Sequence, residues 1–364
     1  MKSDKTESLD PEPGIFRRTY EKGKEKDYQM EELLLQCLCA AVVAYILTFV
    51  CRKTAPVLGL MDIPKDGRRM HSEPIPRMGG IAIYLSFVII MGAFGDFLKV
   101  LPFAVGGLVL VVIGVLDDKH GVKPWVKILG QIISGAVLCV FGISARYFSF
   151  FGKTLDIGEI AGYILTVIWV VAVTNIFNLI DGLDGLCSGI TLIAAIGIVF
   201  NVVIAGGDMS TVTVTAVFAA AVLGFLPHNA CPAKIFLGDT GAMLCGYMLA
   251  SLSCMVFYSD SARTLGALTP LLLFGIPVFD TSFAIIRRLA SGSGVFCGDK
   301  KHVHHRLSKR YGSVIAVVLM HLFSVVLAAA SIIINSSLTG EIIGYVIFVC
   351  AVIYGVLRFG ICKQ

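Results

Sequence analysis

Charged residues are scarce in this chain. Asp, Glu, Lys and Arg make up 15% of its 364 residues, hydrophobic residues make up 56%, and the mean hydropathy is +0.84. Soluble globular proteins carry about 25% charged residues, so this composition excludes an ordinary soluble fold. The sequence instead predicts an all-α polytopic membrane protein.

Several common site signatures are also missing. The eleven cysteines are scattered, mostly in apolar runs, and no Cys-x-x-Cys pair occurs, so neither a disulfide framework nor a zinc site is indicated. The segment Phe151–Thr154 reads FGKT, but Tyr147 stands where a phosphate-binding P-loop requires glycine. G-x-S-x-G and H-E-x-x-H are absent as well, which leaves no motif of an α/β-hydrolase or a zinc peptidase.

Long apolar runs are what the sequence has instead. A bilayer-spanning helix needs about 20 apolar residues, and runs of that length predict about eleven transmembrane helices. They form a single transmembrane domain over residues 33–364, preceded by a charged amino-terminal tail over residues 1–32 that is expected to be mobile. The predicted spans begin near Leu33, Gly80, Pro102, Val126, Ile160, Leu186, Val212, Gly241, Leu265, Ser313 and Glu341.

Lysine and arginine are divided unevenly between the loops. Among loops that follow alternate spans, the set starting with Arg52–Gly79 holds nineteen of these residues and the opposite set holds four. Basic loops stay in the cytoplasm, so we expect a bacterial cytoplasmic-membrane protein with its amino terminus outside. The polar stretches HSEPIPRMGG, LDDKHGVKPWVK, NLIDGLDG, FLGDTGA and GDKKHVHHR all lie on the basic side. This predicts an active-site cleft at the cytoplasmic face.

Carboxylates recur in these stretches. Asp117 and Asp118 are adjacent, and neighbours on a helix point about 100° apart, so one can meet a metal or a proton while the other is hydrogen-bonded or solvated. Asp239 lies between glycines just before an apolar span, where a helix cap is one explanation. Five carboxylates on one face would repel each other unless a cation neutralised them. Oxygen ligands without cysteine favour Mg²⁺, with Mn²⁺ as the alternative, over Zn²⁺.

Two asparagines and then two aspartates are evenly spaced in one further stretch. Asn175, Asn178, Asp181 and Asp184 recur at every third residue, so successive members would be neighbours on a helix. Asparagine offers donors and acceptors, whereas aspartate mainly accepts. The mixture suits the sugar or base of a nucleotide together with a metal, and a helix capped by Asp184 is the structural alternative.

A basic cluster complements the acids. Phosphate binding fits it best, because Arg and Lys make charge-assisted hydrogen bonds to phosphate oxygens. A positive-inside anchor would need the lysines but not the histidines, and a zinc cluster lacks a nearby acidic or thiol ligand. His71 and Arg77 add basic groups ahead of paired glycines. The cluster comprises Lys300, Lys301, His302, His304, His305 and Arg306.

Acids that hold a metal and bases that hold phosphate indicate phosphoryl transfer. The motifs PIPRMGG, LDDKHGVKPWVKILGQ, NLIDGLDGL, FLGDTGAM, PVFDT and KKHVHHRL resemble, in this order, the polyprenyl-phosphate N-acetylhexosamine-1-phosphate transferases. They look most like the branch that uses UDP-N-acetylglucosamine and starts wall teichoic acid, O-antigen or related glycan synthesis. The resemblance implies transfer of a sugar-1-phosphate from a UDP-N-acetylhexosamine to undecaprenyl phosphate with release of UMP, and makes a homodimer plausible.

The resemblance also implies roles for individual residues. Asp117 and Asp118 match the paired acids, one of which is the proposed base for the lipid phosphate, and Asp239 matches the Mg²⁺ ligand. Phe236 stands where the family places an aromatic near the uracil. The remaining matches are substrate-binding residues, namely Lys127, Asn178, Asp181, Asp184, His302, His304, His305 and Arg306.

Two rival functions remain open on the sequence. Phospho-N-acetylmuramoyl-pentapeptide transferase is the sister activity, but that branch has three adjacent histidines, whereas Val303 separates His302 from His304 here. An ion-coupled transporter would also place acids in a membrane protein, although it needs polar groups near the midplane rather than at one face. No feature indicates nucleic-acid binding. The sugar, and the choice between direct attack and a covalent aspartyl intermediate, are left undetermined.

Overall fold

The computed structural model describes residues 13–64, 73–94, 97–258, 266–290, 302–335 and 338–355. These residues are almost entirely helical, with two small antiparallel strand pairs. The helices are α1 Pro13–Leu58, α2 Gly79–Phe94, α3 Phe97–His120, α4 Pro124–Val140, α5 Glu159–Ile180, α6 Leu186–Ile204, α7 Met209–Asn229, α8 Gly238–Phe257, α9 Thr269–Leu273, α10 Gly275–Ala290, α11 Val303–Tyr311, α12 Ser313–Ile334 and α13 Leu338–Gly355. The strands are β1 Met61–Asp62, β2 Ile75–Pro76, β3 Tyr147–Phe150 and β4 Lys153–Asp156.

Seven described helices are long and apolar enough to cross a membrane: α1 (over Tyr28–Leu58), α3, α5, α6, α7, α8 and α12. Helices α2 and α4 are apolar but shorter. The helical, polytopic character is therefore confirmed, while the number eleven stays a prediction. The apolar run expected to span from Leu265 is divided into α9 and α10, and α1 begins at Pro13, within the segment expected to be a mobile tail.

Helix α8 lies at the centre of the bundle, packed against α2, α3, α5 and α6. Its most apolar stretch is 94% buried, as expected for a helix that is apolar on every side. Glycine lets two neighbours approach its first turn. A Cβ on Gly80 would lie 2.3 Å from the Gly241 nitrogen, and one on Gly114 would lie 2.3 Å from the Thr240 Cα. Close backbone packing, typical of membrane helices, therefore fixes the position of this turn.

Polar hydrogen bonds gather at two opposite ends of the bundle. At one end, the last turns of α3 and α5 and the connections after α5 and α7 meet the first turns of α4 and α8. At the other end, the chain following α4 bonds to the end of α8, where the Arg146 N–H donates to the Tyr258 carbonyl at 3.1 Å. The described parts of the polar motifs all belong to the first end, called the site end below. Its counterpart is called the hairpin end, because strands β3 and β4 lie there.

The FGKT segment forms the turn of the β3–β4 hairpin at the hairpin end. Phe151 and Gly152 have φ values of 50° and 70°, the two positive values that a two-residue type I′ turn requires. A P-loop would lead from a strand into a helix. The segment instead joins two paired strands, which agrees with the sequence-based exclusion of a nucleotide loop.

The expectation of a helical row from Asn175 to Asp184 holds only in part. Helix α5 ends at Ile180 and α6 begins at Leu186, so Asp181 and Asp184 lie in the connection between the helices. Gly185 precedes α6 with φ 74°, a left-handed conformation that glycine adopts without steric cost. The two glycines in this stretch therefore interrupt the helix and leave the two acids on an irregular backbone.

Candidate active site

Asp118 caps α8 from the neighbouring helix α3. Its Oδ1 accepts the Asp239 N–H at 3.0 Å, and its Oδ2 accepts the N–H and the hydroxyl of Thr240 at 3.1 Å and 2.8 Å. The first N–H groups of a helix have no partner within it, and α8 receives no side-chain cap from Leu237. Asp118 is thus the hydrogen-bonded member of the acidic pair, and the Asp239 side chain, for which a cap was one expectation, is not used as one.

Lys127, near the start of α4, bridges two carboxylates from different helices. Its Nζ lies 3.2 Å from Asp239 Oδ2 and makes a still closer ion pair with Asp117 Oδ2. The other Asp117 oxygen accepts the Val122 N–H at 2.7 Å, and the other Asp239 oxygen accepts the Asn178 amide. Two acids far apart in the sequence therefore share one cation, so the cluster keeps a net negative charge.

Asn175 and Asp184, the two ends of the Asn/Asp row, point to different places. Asn175 donates to Gln131 Oε1 at 2.7 Å inside the bundle, so it supports the packing of α5 on α4. Asp184 accepts the Ala233 N–H at 2.9 Å, which ties the α5–α6 connection to the α7–α8 connection. Asp184 does not cap α6, because Gly185 occupies the cap position without a side-chain hydrogen bond.

Asp181 lines the cavity described below, and its pKa is shifted by burial and by neighbouring acids. Burial, followed by the charges of Asp239 and Asp118, raises the pKa of Asp181 to about 8, although Arg77 acts in the opposite direction. Near neutral pH its carboxyl is therefore largely protonated unless another cation approaches. Carboxylate and amide oxygens with uncompensated charge fit a hard divalent cation such as Mg²⁺, which takes few protein carboxylates and completes its shell with water and phosphate.

A cavity of about 1110 Å³ opens at the site end beside these groups. Asp117, Asp118 and Lys127 lie behind Asp239 rather than on its lining. The cavity is slightly larger than typical small-molecule sites, which measure about 300–1,000 Å³. Residues of both charge signs line it: the acids are Asp62, Glu73, Asp181, Asp184 and Asp239, the cationic or potentially cationic groups are Arg52, Lys53, Arg77, Lys234 and His305, and Asn178 is also present.

Backbone hydrogen bonds hold Phe236 and Arg77 on the cavity lining. The Phe236 N–H donates to the Pro76 carbonyl at 2.8 Å, and the Phe236 carbonyl accepts the Gly79 N–H at 3.1 Å. The Arg77 guanidinium pairs with Asp62 at 3.1 Å. Phe236, the aromatic residue expected near the nucleotide base, therefore lines the same cavity as Arg77, and a backbone bridge joins the two residues.

An acid to which the sequence analysis gave no role joins the histidine loop. Asp280, within the PVFDT motif of α10, accepts hydrogen bonds from the Nδ1 atoms of His302 and His304 at 3.0 Å and 2.9 Å. These three are the described acidic or histidine residues whose potential ligand atoms all lie within 4.8 Å of one another. A lone acid inside an apolar helix, upstream of a histidine cluster, was the available signal.

The rest of the histidine loop is placed unevenly. His305 lines the cavity, and burial, helped by the neighbouring histidines, lowers its pKa. Arg306 is exposed on α11 and is not among the described residues that line the cavity. His71, Lys300 and Lys301 lie outside the described residues.

Comparison with known proteins gives consistent matches. Residues 100–257 match the model of glycosyl transferase family 4. A probable undecaprenyl-phosphate N-acetylglucosaminyl 1-phosphate transferase of Bacillus subtilis is 33% identical, over 85% of this chain and 87% of its own length. A decaprenyl-phosphate N-acetylglucosaminephosphotransferase of Mycolicibacterium smegmatis is 34% identical, over 89% and 88%. An undecaprenyl-phosphate alpha-N-acetylglucosaminyl 1-phosphate transferase of Thermotoga maritima is 31% identical, over 78% and 85%.

Proposed function

This chain belongs to glycosyl transferase family 4, among the polyprenyl-phosphate N-acetylhexosamine-1-phosphate transferases, and we propose that it transfers N-acetylglucosamine-1-phosphate from UDP-N-acetylglucosamine to undecaprenyl phosphate. One observation carries the proposal. Asp239 lies on the wall of a large cavity of mixed charge, held there by Asp118, Lys127 and Asn178 from three other segments. Such an arrangement suits two phosphate-bearing substrates that must meet although they repel.

In the reaction, an oxygen of the lipid phosphate forms a bond to the phosphorus that carries the sugar. The bond between that phosphorus and the bridging oxygen of the diphosphate breaks, and UMP leaves with the electron pair. The lipid phosphate is a competent nucleophile once it is deprotonated, so its activator mainly supplies position and a proton acceptor. The resemblance assigns this role to one of the paired acids, and we propose Asp117, whose carboxylate lies next to the cavity lining, paired with Lys127 beside Asp239 and hydrogen-bonded to the Val122 N–H.

The residues present fit a bound Mg²⁺ with Asp239 as its protein ligand. Its carboxylate is 30% exposed and reaches the cavity. Bound there, the ion would neutralise diphosphate charge and stabilise the charge that develops on UMP. Lys127 and Asn178 hold the Asp239 oxygens in place, while Arg77 and His305 offer hydrogen-bond donors to phosphate from other sides of the cavity.

The distribution of lysine and arginine supports placement of the site end in the cytoplasm, where UDP-sugars are made. The product would then form at the inner face of the bacterial cytoplasmic membrane and start a lipid-linked surface glycan such as teichoic acid or O-antigen. A transporter is disfavoured, because the acids gather at one end of the helices rather than along a path through them.

The test is an assay of purified protein in detergent with undecaprenyl phosphate, Mg²⁺ and a radiolabelled UDP-sugar. We expect label to enter the organic-extractable lipid with release of UMP, faster from UDP-N-acetylglucosamine than from UDP-N-acetylgalactosamine or UDP-N-acetylmuramoyl-pentapeptide. Removal of divalent cations with EDTA should stop the reaction and Mg²⁺ should restore it. Product from the muramoyl-pentapeptide donor alone would refute the assignment of the sugar, and no lipid product from any donor would refute the enzyme.

A further inference from the structure

Asp280 of α10 holds the start of α11 by three hydrogen bonds. Its Oδ2 accepts from Nδ1 of both His302 and His304, and its Oδ1 accepts the Val303 N–H. Asp280 is only 2% exposed and His304 only 1%. A buried carboxylate is costly unless donors surround it. All three donors here come from consecutive residues of the histidine loop, so the acid and the loop form one unit.

These bonds determine which ring nitrogens are free. An ionised carboxylate only accepts hydrogen bonds, so the Nδ1 atoms of His302 and His304 both carry hydrogen. The Nε2 atom of each ring is therefore left to face its surroundings. An outer carboxylate that fixes the tautomer and direction of a histidine in this way is common where histidine acts at a site.

The free nitrogen of His304 faces the cavity edge. A Cβ on Gly182 would lie 2.5 Å from His304 Nε2, so the ring packs directly on the Gly182 backbone, next to Asp181. Gly182 and Asp181 both line the cavity. The ring of His305, which also lines the cavity, lies with its centroid 4.2 Å from that of His304. His304 thus connects Asp280 to two residues of the cavity lining, Gly182 and His305.

From this geometry we infer that Asp280 is the positioning residue of the histidine loop. It fixes the Nδ1–H form of His302 and His304, directs His304 Nε2 towards Gly182, and seats His305 where the donor diphosphate binds. Asp280 acts through the histidines and does not touch substrate. The inference rests on the proposed function for the identity of that ligand.

The distances favour hydrogen bonds over a metal ion within this group. Zinc bonds of about 2.0–2.1 Å in tetrahedral geometry hold neighbouring ligand atoms roughly 3.3 Å apart. The Asp280–histidine distances of 2.9 Å and 3.0 Å are those of N–H···O bonds. A metal remains a measurable outcome, because a zinc bound here would replace both hydrogens on the Nδ1 atoms.

The first experiment compares Asp280→Asn with Asp156→Asn, a matched change of an ion-paired acid at the hairpin end. We expect Asp280→Asn to lower kcat/KM for UDP-N-acetylglucosamine about 10- to 100-fold, with the KM for undecaprenyl phosphate within about two-fold of wild type. Asp156→Asn should leave both constants unchanged. An equal rise in KM for UDP-N-acetylglucosamine and for undecaprenyl phosphate would indicate a general structural role and overturn the inference.

The second experiment tests the nitrogen assignment at His302. His302→Asn keeps an amide nitrogen near the Nδ1 position and can still donate to Asp280, whereas His302→Gln places its nitrogen near the Nε2 position. We expect the Asn variant to retain several-fold more activity than the Gln variant. The reverse order would overturn the inference, and this pair decides the question even if Asp280 variants fail to fold.

A double-variant cycle and a metal analysis complete the test. Asp280→Ala and His304→Ala should each lose activity, and the double variant should lose little more than either one, because the residues act as a unit. If the activity losses of the two single variants multiplied in the double variant, the inference would be overturned. It would also be overturned if wild-type protein bound one zinc ion and Asp280→Ala bound none. If wild-type protein released no UMP, the proposed function would fail. The Asp280–His304 unit could still be tested by the Tm values of the same variants. Non-additive Tm shifts would support the unit, and additive shifts would refute it.

Discussion

The two ends of the bundle handle charge in different ways. At the hairpin end, Arg146 and Asp156 form a partly exposed bidentate pair with both distances 2.8 Å, and Asp156 also accepts the Gly158 N–H. At the site end, Asp117, Asp118 and Asp239 are partly or largely enclosed and share donors supplied by several helices. An ion pair at the protein surface contributes little to stability. Enclosed acids in excess of bases are costly, and they persist where a substrate or ion neutralises them.

The largest expected effect comes from Asp239→Asn. The substitution keeps the size of the side chain but removes the charge proposed to hold Mg²⁺, so UMP release should fall on the order of 10³-fold or more. The measurement is Mg²⁺-dependent turnover of protein whose thermal unfolding matches wild type. Unchanged turnover would refute Asp239 as the metal ligand.

Lys127→Met should have the next largest effect. Loss of the shared ammonium leaves Asp117 and Asp239 unpaired and repelling, and we expect kcat to fall about 10²-fold. Lys127→Arg serves as the control, since it keeps the charge and should recover part of the loss. Turnover assays at saturating donor and acceptor measure it, and equal activity of the Met and Arg variants would contradict the shared-cation explanation.

Gly182→Ala should give a smaller loss, of about ten-fold in kcat/KM for the donor, because the new methyl group would displace the His304 ring. Gly92→Ala is the matched control. Gly92 lies in α2, and a Cβ there meets nothing within 4 Å, so activity and stability should be unaffected. If both variants behaved like wild type, the contact between Gly182 and His304 would not matter for the reaction.

The smallest effect is expected from Arg146→Ala at the hairpin end. Both partners of this ion pair are partly exposed to solvent, so its loss should change Tm little and leave turnover within about two-fold. Thermal unfolding and the UMP assay measure the two quantities. A large loss of turnover would show that the hairpin end communicates with the site and would remove the contrast between the ends.

The sequence was sufficient to predict the features that depend on composition and order. Apolar runs located the helices, and the basic side of the loops grouped the motifs that the structure brings together at the site end. Asp239 and Lys127 were recognisable, because motifs of this kind carry their own residue pattern. The similarity to known proteins confirms the family that these motifs indicated, while the roles of Asp239 and Lys127 stay predictions.

Hydrogen-bond partners from distant segments could not be predicted from the sequence. Nothing in the order of residues shows that Asp118 would cap α8, whose first turn lies more than a hundred positions away. The role of Asp280 was missed for the same reason, since its partners lie on another helix. The end of α5 at Ile180 was not predicted, because a regular spacing of three fits a helix through Asp184 and the two glycines do not by themselves show where a helix ends.

The burial of α8 has a consequence for the membrane. The outer helices α1 and α12 can tilt when bilayer thickness changes, a common and inexpensive response. Helix α8 is enclosed on nearly all sides and tethered at its first turn by Asp118, so we expect it to keep its position when the outer helices tilt. Asp239, in the first turn of α8, should therefore stay at a constant depth relative to the membrane surface. Turnover should vary little between thin and thick lipid nanodiscs.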